Sequence, residues 1–414
     1  MSNRTVRAGV RGRPLAVARG RRLAVALALA ASALACNKTE EAPAGTAPAP
    51  APSAPAPLVT DGTGPKIVPG PGTLPECFAP WNKDTKFLQW PAKKPPYRIA
   101  LVNGYVGNAW RIQMVKTAKA FAKDPAVAPL IKEFKVISTG TALSAQLAAI
   151  EDFINQGFDA VATLAVSPKG FDRVIDLANK RNVMLIPFDG VLDTDKVVEV
   201  NEDQAAMGRQ WGEFLDKQLG GKGSVLEVRG LEGNSTERDR HEAFRAAMSG
   251  KGKKYTFVEV LGSWDDSKAH QAVADALKVH KKFDAMMVQG GSTGAIRALL
   301  AAGGKPIPLA TEAENGARKL IASLATKGGK GLSLGDSPGL AAIAIKATIA
   351  GLQGQVLPQK ISVPIPAADD ATLEDGENYY SKLSDNFFTP NEFPPCGVNI
   401  SSVKIMNESE SDLK

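Results

Sequence analysis

The side chains able to do chemistry gather in seven short stretches, each directly after an apolar run: 103–111, 188–190, 233–240, 262–267, 289–292, 311–316 and 335–338. Together they hold Trp110 and Trp264, Arg111 and Arg238, the carboxylates Asp189, Glu312 and Asp336, and the amides Asn108 and Gln289. Carboxylates and guanidinium groups take hydroxyls in charge-assisted, often bidentate geometry. An indole covers an apolar C–H face. A sugar offers both surfaces, and two tryptophans from opposite halves of the chain could sandwich one ring. Three acids against two arginines argue against an anionic ligand. Trp211, on a helical stripe, is assigned instead to packing.

These stretches need elements to hold them in register. From Arg98 onward, short apolar runs alternate with helix-period segments. The runs include Ile99–Val102, Phe134–Ile137, Ala160–Leu164 and Val183–Ile186, then Val197–Val200, Ser224–Val228, Phe257–Val260, Ala285–Val288, Ile307–Ala310 and Leu332–Leu334. Strands apolar on both faces, separated by amphipathic helices, imply parallel sheets covered on both sides. About ten such units exceed one comfortable sheet, so two lobes are expected. In such folds ligands sit beyond the carboxyl ends of strands, where the polar stretches lie.

Charge and the N-terminus exclude other classes. The formal net charge is +7, which alone points to nucleic acid. Arg4, Arg7, Arg11, Arg13, Arg19, Arg21 and Arg22 account for all of it, and no Asp or Glu precedes Cys36. The rest is balanced, so a nucleic-acid partner is not expected. An apolar run from Leu23 to Ala35 follows, too short to span a bilayer but suited to a secretion signal. Ala33-Leu34-Ala35-Cys36 is similar to a bacterial lipobox, in which Cys36 takes lipid, and it also suits ordinary cleavage after Ala35. The Ala/Pro-rich stretch behind it reads as a semi-stiff extended spacer. Cys77 and Cys396 remain, one near each end of the folded region. In an exported protein they are expected to bridge, the alternative being two buried thiols.

Enzyme and metal chemistry find little support. Gly335-Asp336-Ser337-Pro338-Gly339 fits the G-x-S-x-G elbow of α/β-hydrolases, but every histidine (His241, His270, His280) precedes Ser337, against the order those enzymes use. Pro338 in a first helical turn explains the motif structurally. Gly290–Gly294 lacks the end of a P-loop. Asp265-Asp266 lacks a calcium-loop pattern and reads as a helix cap. No metal and no cofactor are expected.

Several motifs occur together and in order: Ile-Asn-Gln-Gly-Phe-Asp-Ala at 154–160, Ile186-Pro187-Phe188-Asp189, Gly233-Asn234-Ser235 to Arg238-Asp239-Arg240, Phe283-Asp284-Ala285 with Gln289, and Glu314-Asn315-Gly316. From about Pro96 to Pro364 the chain resembles the type I periplasmic sugar-binding proteins of ABC importers, which bind ribose, galactose or galactofuranose. The resemblance implies an α/β fold of two lobes, each a doubly wound parallel sheet, joined by crossings near Glu202, Asp336 and Pro364. It implies that Asn108 and Trp110 contact ligand after the first strand, and that Asp189 takes two hydroxyls opposite Arg238. It places Trp264 as the wall of the second lobe, Glu312 where the family has Asp, and Asp336 near the hinge. Gly190 stands where Arg is usual, and Gln289-Gly290-Gly291 where Gln-Asn-Asp is usual. Arg111 after Trp110 is similar to galactofuranose-binding members, so the sugar stays open.

The resulting division is 1–35 signal peptide, 36–75 linker, 76–95 N-terminal extension, 96–202 with 336–363 one lobe, 203–335 with 364–385 the other, and 386–414 a C-terminal tail. The expected protein is a monomer in the periplasm or cell envelope, anchored to membrane by lipid. It would capture a sugar and deliver it to ABC permease and ATPase subunits. A ligand sensor for a chemoreceptor or histidine kinase is the alternative, and a hydrolase using Ser337 the remote one.

Overall fold

The computed structural model of the protein describes residues 64–389 and 391–409. The signal peptide, Cys36 and the Ala/Pro run at 41–58 lie outside the described residues.

The first lobe is a four-stranded parallel sheet in the order Ile131–Ser138, Tyr97–Asn103, Ala160–Leu164, Met184–Pro187. Every residue of Ala160–Leu164 is buried, as a strand covered on both faces requires. Helices α2 (Leu143–Asn155) and α3 (Asp172–Lys180) supply the apolar layer on one face. Helices α1 (Ala109–Ala122) and α9 (Leu340–Leu352) supply the other. Helix α9 is buried nearly all round, which is why its sequence is almost entirely Ala, Ile and Leu.

The second lobe is a six-stranded sheet. Lys254–Leu261, Lys222–Arg229, Ala285–Val288, Leu309–Glu312 and Gly331–Leu334 run parallel in that order, and Ala367–Asp369 closes the edge antiparallel. Helices α4 (Gln204–Leu219) and α5 (Ser235–Ala247) cover one face. Helices α6 (Asp266–His280), α7 (Ser292–Ala301) and α8 (Asn315–Ala325) cover the other. Trp211 is fully buried in this core, its Nε1 donating to the Thr311 carbonyl at 3.1 Å.

Three connections join the lobes. The strand Glu199–Glu202 leads into α4, Leu334 leads through Asp336 to α9, and Lys360–Val363 leads to Ala367–Asp369. Lys360–Val363 and Glu199–Glu202 pair in parallel, so two crossings leave the first lobe side by side. Residues 66–68, inside the stretch read as linker, form an edge strand on Phe87–Gln89.

The C-terminal segment makes a fourth connection, for which the βα pattern offers no signal. Asn315 N donates to Phe387 O and Thr389 N to Ala313 O, tying it to the second lobe. Phe388 N then donates to Gln113 Oε1 of α1 at 2.7 Å. Beyond it, Cys396 is bonded to Cys77 (S–S 2.17 Å), and α10 (Ser402–Met406) packs on α1. Among the described residues no helix is long and apolar enough to cross a membrane.

Candidate functional site

The carboxyl ends of both sheets and the second crossing converge on one cluster. Met184–Pro187 delivers Asp189, whose backbone is held in the left-handed region (φ 56°) while its N–H donates to Val200 O at 3.0 Å. Asn108 caps α1, accepting from Arg111 N at 3.0 Å. That cap sets the first turn and with it two site side chains. Trp110 Nε1 donates to the Asp336 carbonyl at 3.0 Å. Arg111 Nη1 donates to Asn103 Oδ1 at 2.7 Å, and its guanidinium lies 4.5 Å from the Tyr105 ring centroid.

The second lobe contributes Arg240, which is 1% exposed. Its Nε donates to Gln204 Oε1 (2.7 Å), its Nη1 to Glu312 Oε1 (2.7 Å) and Gln289 O (3.0 Å), and its Nη2 to Asp336 Oδ2 (3.0 Å). One side chain thus ties helix α5, two strand ends and a hinge together.

This corrects the expectation for Arg238. Its guanidinium is half exposed and paired with Asp239 at 2.7 Å. On α5 the inward stripe is Thr236, Glu237, Arg240 and Phe244, at i, i+1, i+4 and i+8, and residue 238 falls off it. Gln289 is also displaced from the expected role. Its Nε2 faces Glu237 (3.3 Å) behind Arg240, so it supports the arginine and does not line the cavity. Asn108, Trp110, Arg111, Asp189, Trp264, Glu312 and Asp336 do come together around it.

Trp264 closes the site from the second lobe. A Cβ at Gly230 would lie 2.2 Å from its Nε1, and one at Gly290 would lie 2.7 Å from its Cδ1. Those two glycines make the slot the indole occupies. Trp264 Nε1 and Asp189 Oδ1 are buried without a hydrogen-bond partner in the protein. Thr236, Glu314 and Phe388 complete the wall. Glu314 sits in a strand-end stretch and was legible as such. Phe388 was not, because no periodic pattern surrounds it.

The cluster is rich in carboxylates that burial drives toward the protonated form. Glu312 rises to about 8 and Glu314 to about 7, in each case chiefly through burial. Asp189 is pushed well up by burial and by Asp336, and Glu202 well up by the same two causes. Arg240 is held above its ordinary value, its own burial outweighed by Glu312 and Asp336. Burial pulls Arg111 down. A set of partly protonated carboxyls facing fixed guanidinium groups can both accept from and donate to hydroxyls.

The hydrolase hook has a structural use. Ser337 is buried, and its Oγ accepts from Gly339 N at 3.0 Å, opening the turn before α9. Elsewhere, Glu227, His241 and Glu259 converge on the outer face of the second lobe. Arg245 and Arg229 both pair with Glu259, at 3.1 and 2.8 Å, and Arg245 also lies 3.6 Å from Glu227, so the carboxylates of that group already have cations.

Two cavities open here. The inner, about 40 Å³, lies against Arg111, Asp189, Arg240, Glu312 and Asp336. The outer, about 410 Å³, lies at the mouth between α1, α6 and the C-terminal segment. They share Asn108, Trp264, Gly291, Glu314 and Phe388.

Comparison with known proteins agrees with this architecture. Residues 99–355 match the periplasmic binding protein domain. The chain is similar to the D-ribose/D-allose-binding protein of Pseudomonas aeruginosa, 27% identical over 219 residues, covering 50% of this chain and 67% of that one. It is similar to the galactofuranose-binding protein of Escherichia coli, 25% identical, covering 48% of this chain and 64% of that one. With the ribose import binding protein of Haemophilus influenzae the match spans only 56% of that chain. Among solved structures it resembles an ABC transporter solute-binding protein from Thermobispora bispora (TM-score 0.62, 25% identity, 71% of this chain and 90% of that one). Two parallel-sheet lobes, crossings that bring their strand ends face to face, and a match over most of the folded region have one conclusion: the chain belongs to the periplasmic binding protein domain family.

Proposed function

We propose that this protein is an extracytoplasmic solute-binding protein that captures a neutral sugar between its lobes and delivers it to the permease and ATPase subunits of an ABC importer. The observation that carries the reading is the cluster itself: Asp189, Glu312 and Asp336 with Arg111 and Arg240, under the indole of Trp264, drawn from both lobes and a crossing. Hydroxyls meet carboxyls and guanidinium groups, and a ring's C–H face meets the indole. Carboxylates outnumber cations, which disfavours phosphorylated or acidic sugars.

Such a ligand contacts both lobes only when they are together. Its differential affinity shifts an open–closed equilibrium, and the closed form is what a permease would read. The Cys77–Cys396 bond holds the C-terminal segment on the first lobe, and the crossing at Asp336 serves as hinge while the strand ends approach. Export by the segment 1–35, anchoring through lipid on Cys36 and action as a monomer complete the proposal.

A thermal-shift screen of pentoses, hexoses, furanoses and polyols tests it. A specific ligand raises the melting temperature by mass action. Failure of every neutral saccharide to shift it, with none retained in equilibrium dialysis, would overturn the reading.

A further inference from the structure

The two cavities differ in size in a way that bears on the ligand. A cavity of ~150 Å³ takes a single six-membered aromatic ring. The inner cavity, about 40 Å³, is far below that, while the outer, about 410 Å³, is well above it. Ligand pockets for small molecules run from ~300 to ~1,000 Å³. The polar cluster alone therefore seats hydroxyls or one ring after a modest parting of the lobes. The outer chamber leaves room for more.

The outer chamber shares aromatic walls with the inner one but has Lys116, Asp265 and Asp266 at its edge in place of the arginines. Trp264 and Phe388 form walls common to both. Ile112 and Met406 extend the apolar surface outward. Asp265 and Asn108 each give one side-chain oxygen to a helix N-terminus (to Lys268 N at 2.8 Å and Arg111 N at 3.0 Å), which leaves Asp265 Oδ2 and Asn108 Nδ2 for a ligand. An apolar platform edged by a carboxylate and an amide is again a carbohydrate-type surface.

A second observation is independent of size. Ser384, Asn386, Phe388 and Met406 line the outer chamber, and all lie beyond the 99–355 family match. This wall is fixed in place. Gln113 holds Phe388 at both its N–H (2.7 Å) and its carbonyl (3.0 Å), and Gln113 Nε2 also donates to Asn391 Oδ1 at 2.7 Å. The bond from Cys396 to Cys77 secures the segment just beyond. Residues beyond the family match thus add one wall at the mouth, opposite the surface that α1 and Trp264 supply.

Resting on the sugar reading above, we propose that the outer chamber is a second saccharide subsite, and that the ligand is a neutral disaccharide with one unit at the acid–arginine cluster and the next between Trp264, Phe388 and Met406. Titration calorimetry on the full chain, with a panel of neutral disaccharides beside their constituent monosaccharides, tests this. At least one disaccharide is expected to bind about tenfold or more tighter than either constituent. Two variants report on the outer chamber: Ser267→Trp, which fills it from an exposed position on α6, and Met406→Ala, which removes part of its floor. Each is expected to lower the disaccharide-to-monosaccharide affinity ratio about fivefold or more, with the unliganded melting temperature as the control for folding. If monosaccharides bind as tightly as any disaccharide, or the ratio is unmoved by Ser267→Trp, the second subsite is overturned while the sugar reading stands. If no saccharide of either size binds, both fall.

Discussion

Arg240 reaches across the cleft to Asp336, its Nη2 donating to Oδ2 at 3.0 Å, while the carbonyl of the same Asp336 accepts from Trp110 of the first lobe. A crossing residue is thus gripped from both sides. Replacing Arg240 by Met removes the only cation in contact with Glu312 and Asp336 among the described residues. Stranding buried carboxylates in this way costs ~3–5 kcal/mol, which denaturant unfolding will measure. Binding is lost in the same variant. Arg238→Ala, at an exposed site, is expected to change stability by no more than ~0.5 kcal/mol and to leave saccharide affinity within about twofold.

Asp189 and Trp264 carry buried polar atoms with no partner in the protein. Asp189→Ala is therefore expected to abolish saccharide binding in calorimetry, with the far-UV spectrum of the folded chain retained as the control. Trp264→Ala is expected to weaken binding by about 2 kcal/mol or more through loss of the ring platform, as truncation of an aromatic anchor does. Unchanged affinity in either variant would remove that residue from the site.

How much of this was legible in the sequence follows from which signals are local. The strands Ala160–Leu164 and Ala285–Val288 are wholly buried, so they read as unbroken apolar runs. The residues after them were findable as a group for that reason. Arg238 and Arg240 differ by one helical half-turn, and composition cannot tell which of them faces the cleft. Only the stripe Thr236, Glu237, Arg240, Phe244 settles it, and that stripe contains two polar residues and an acid. Phe388 reaches the site from a segment with no strand or helix period. Its position depends on Gln113, 275 residues away.

Stability should fall as the pH rises from about 5 to 8. Burial lifts Glu199 to about 7, Glu314 to about 7 and Glu312 to about 8, each from an ordinary value of 4.5. Over that window the native state holds protons that the unfolded chain has released, so the slope of unfolding free energy with pH is negative. Below pH ~4 the sign reverses, because Glu133 is held low by Arg98 and Asp216 by Tyr255 and Lys253. Glu199 is outside the cavity, and its Oε1 accepts from Leu192 N at 2.9 Å, a bond an amide oxygen can keep. Glu199→Gln is expected to flatten the slope, with a gain of up to ~3 kcal/mol at pH 8 relative to pH 5. Urea unfolding at both pH values checks it. An unchanged slope would show that Glu199 does not hold a proton in the native state.

The bond between Cys77 and Cys396 closes a loop spanning 319 residues and anchors the wall bearing Phe388. Replacing both cysteines by Ser should lower stability by ~2–5 kcal/mol, and reduction of the exported protein should expose two thiols. Thiols titrating freely in the unreduced native protein would contradict the bridge.

The central claim is that a saccharide held by both lobes draws them together. Small-angle scattering of the full chain, with and without the saccharide that gives the largest thermal shift, measures it directly. The radius of gyration is expected to fall on addition, and the fall to vanish in Asp189→Ala. A saccharide that binds in calorimetry yet leaves the wild-type profile unchanged would contradict closure around the ligand.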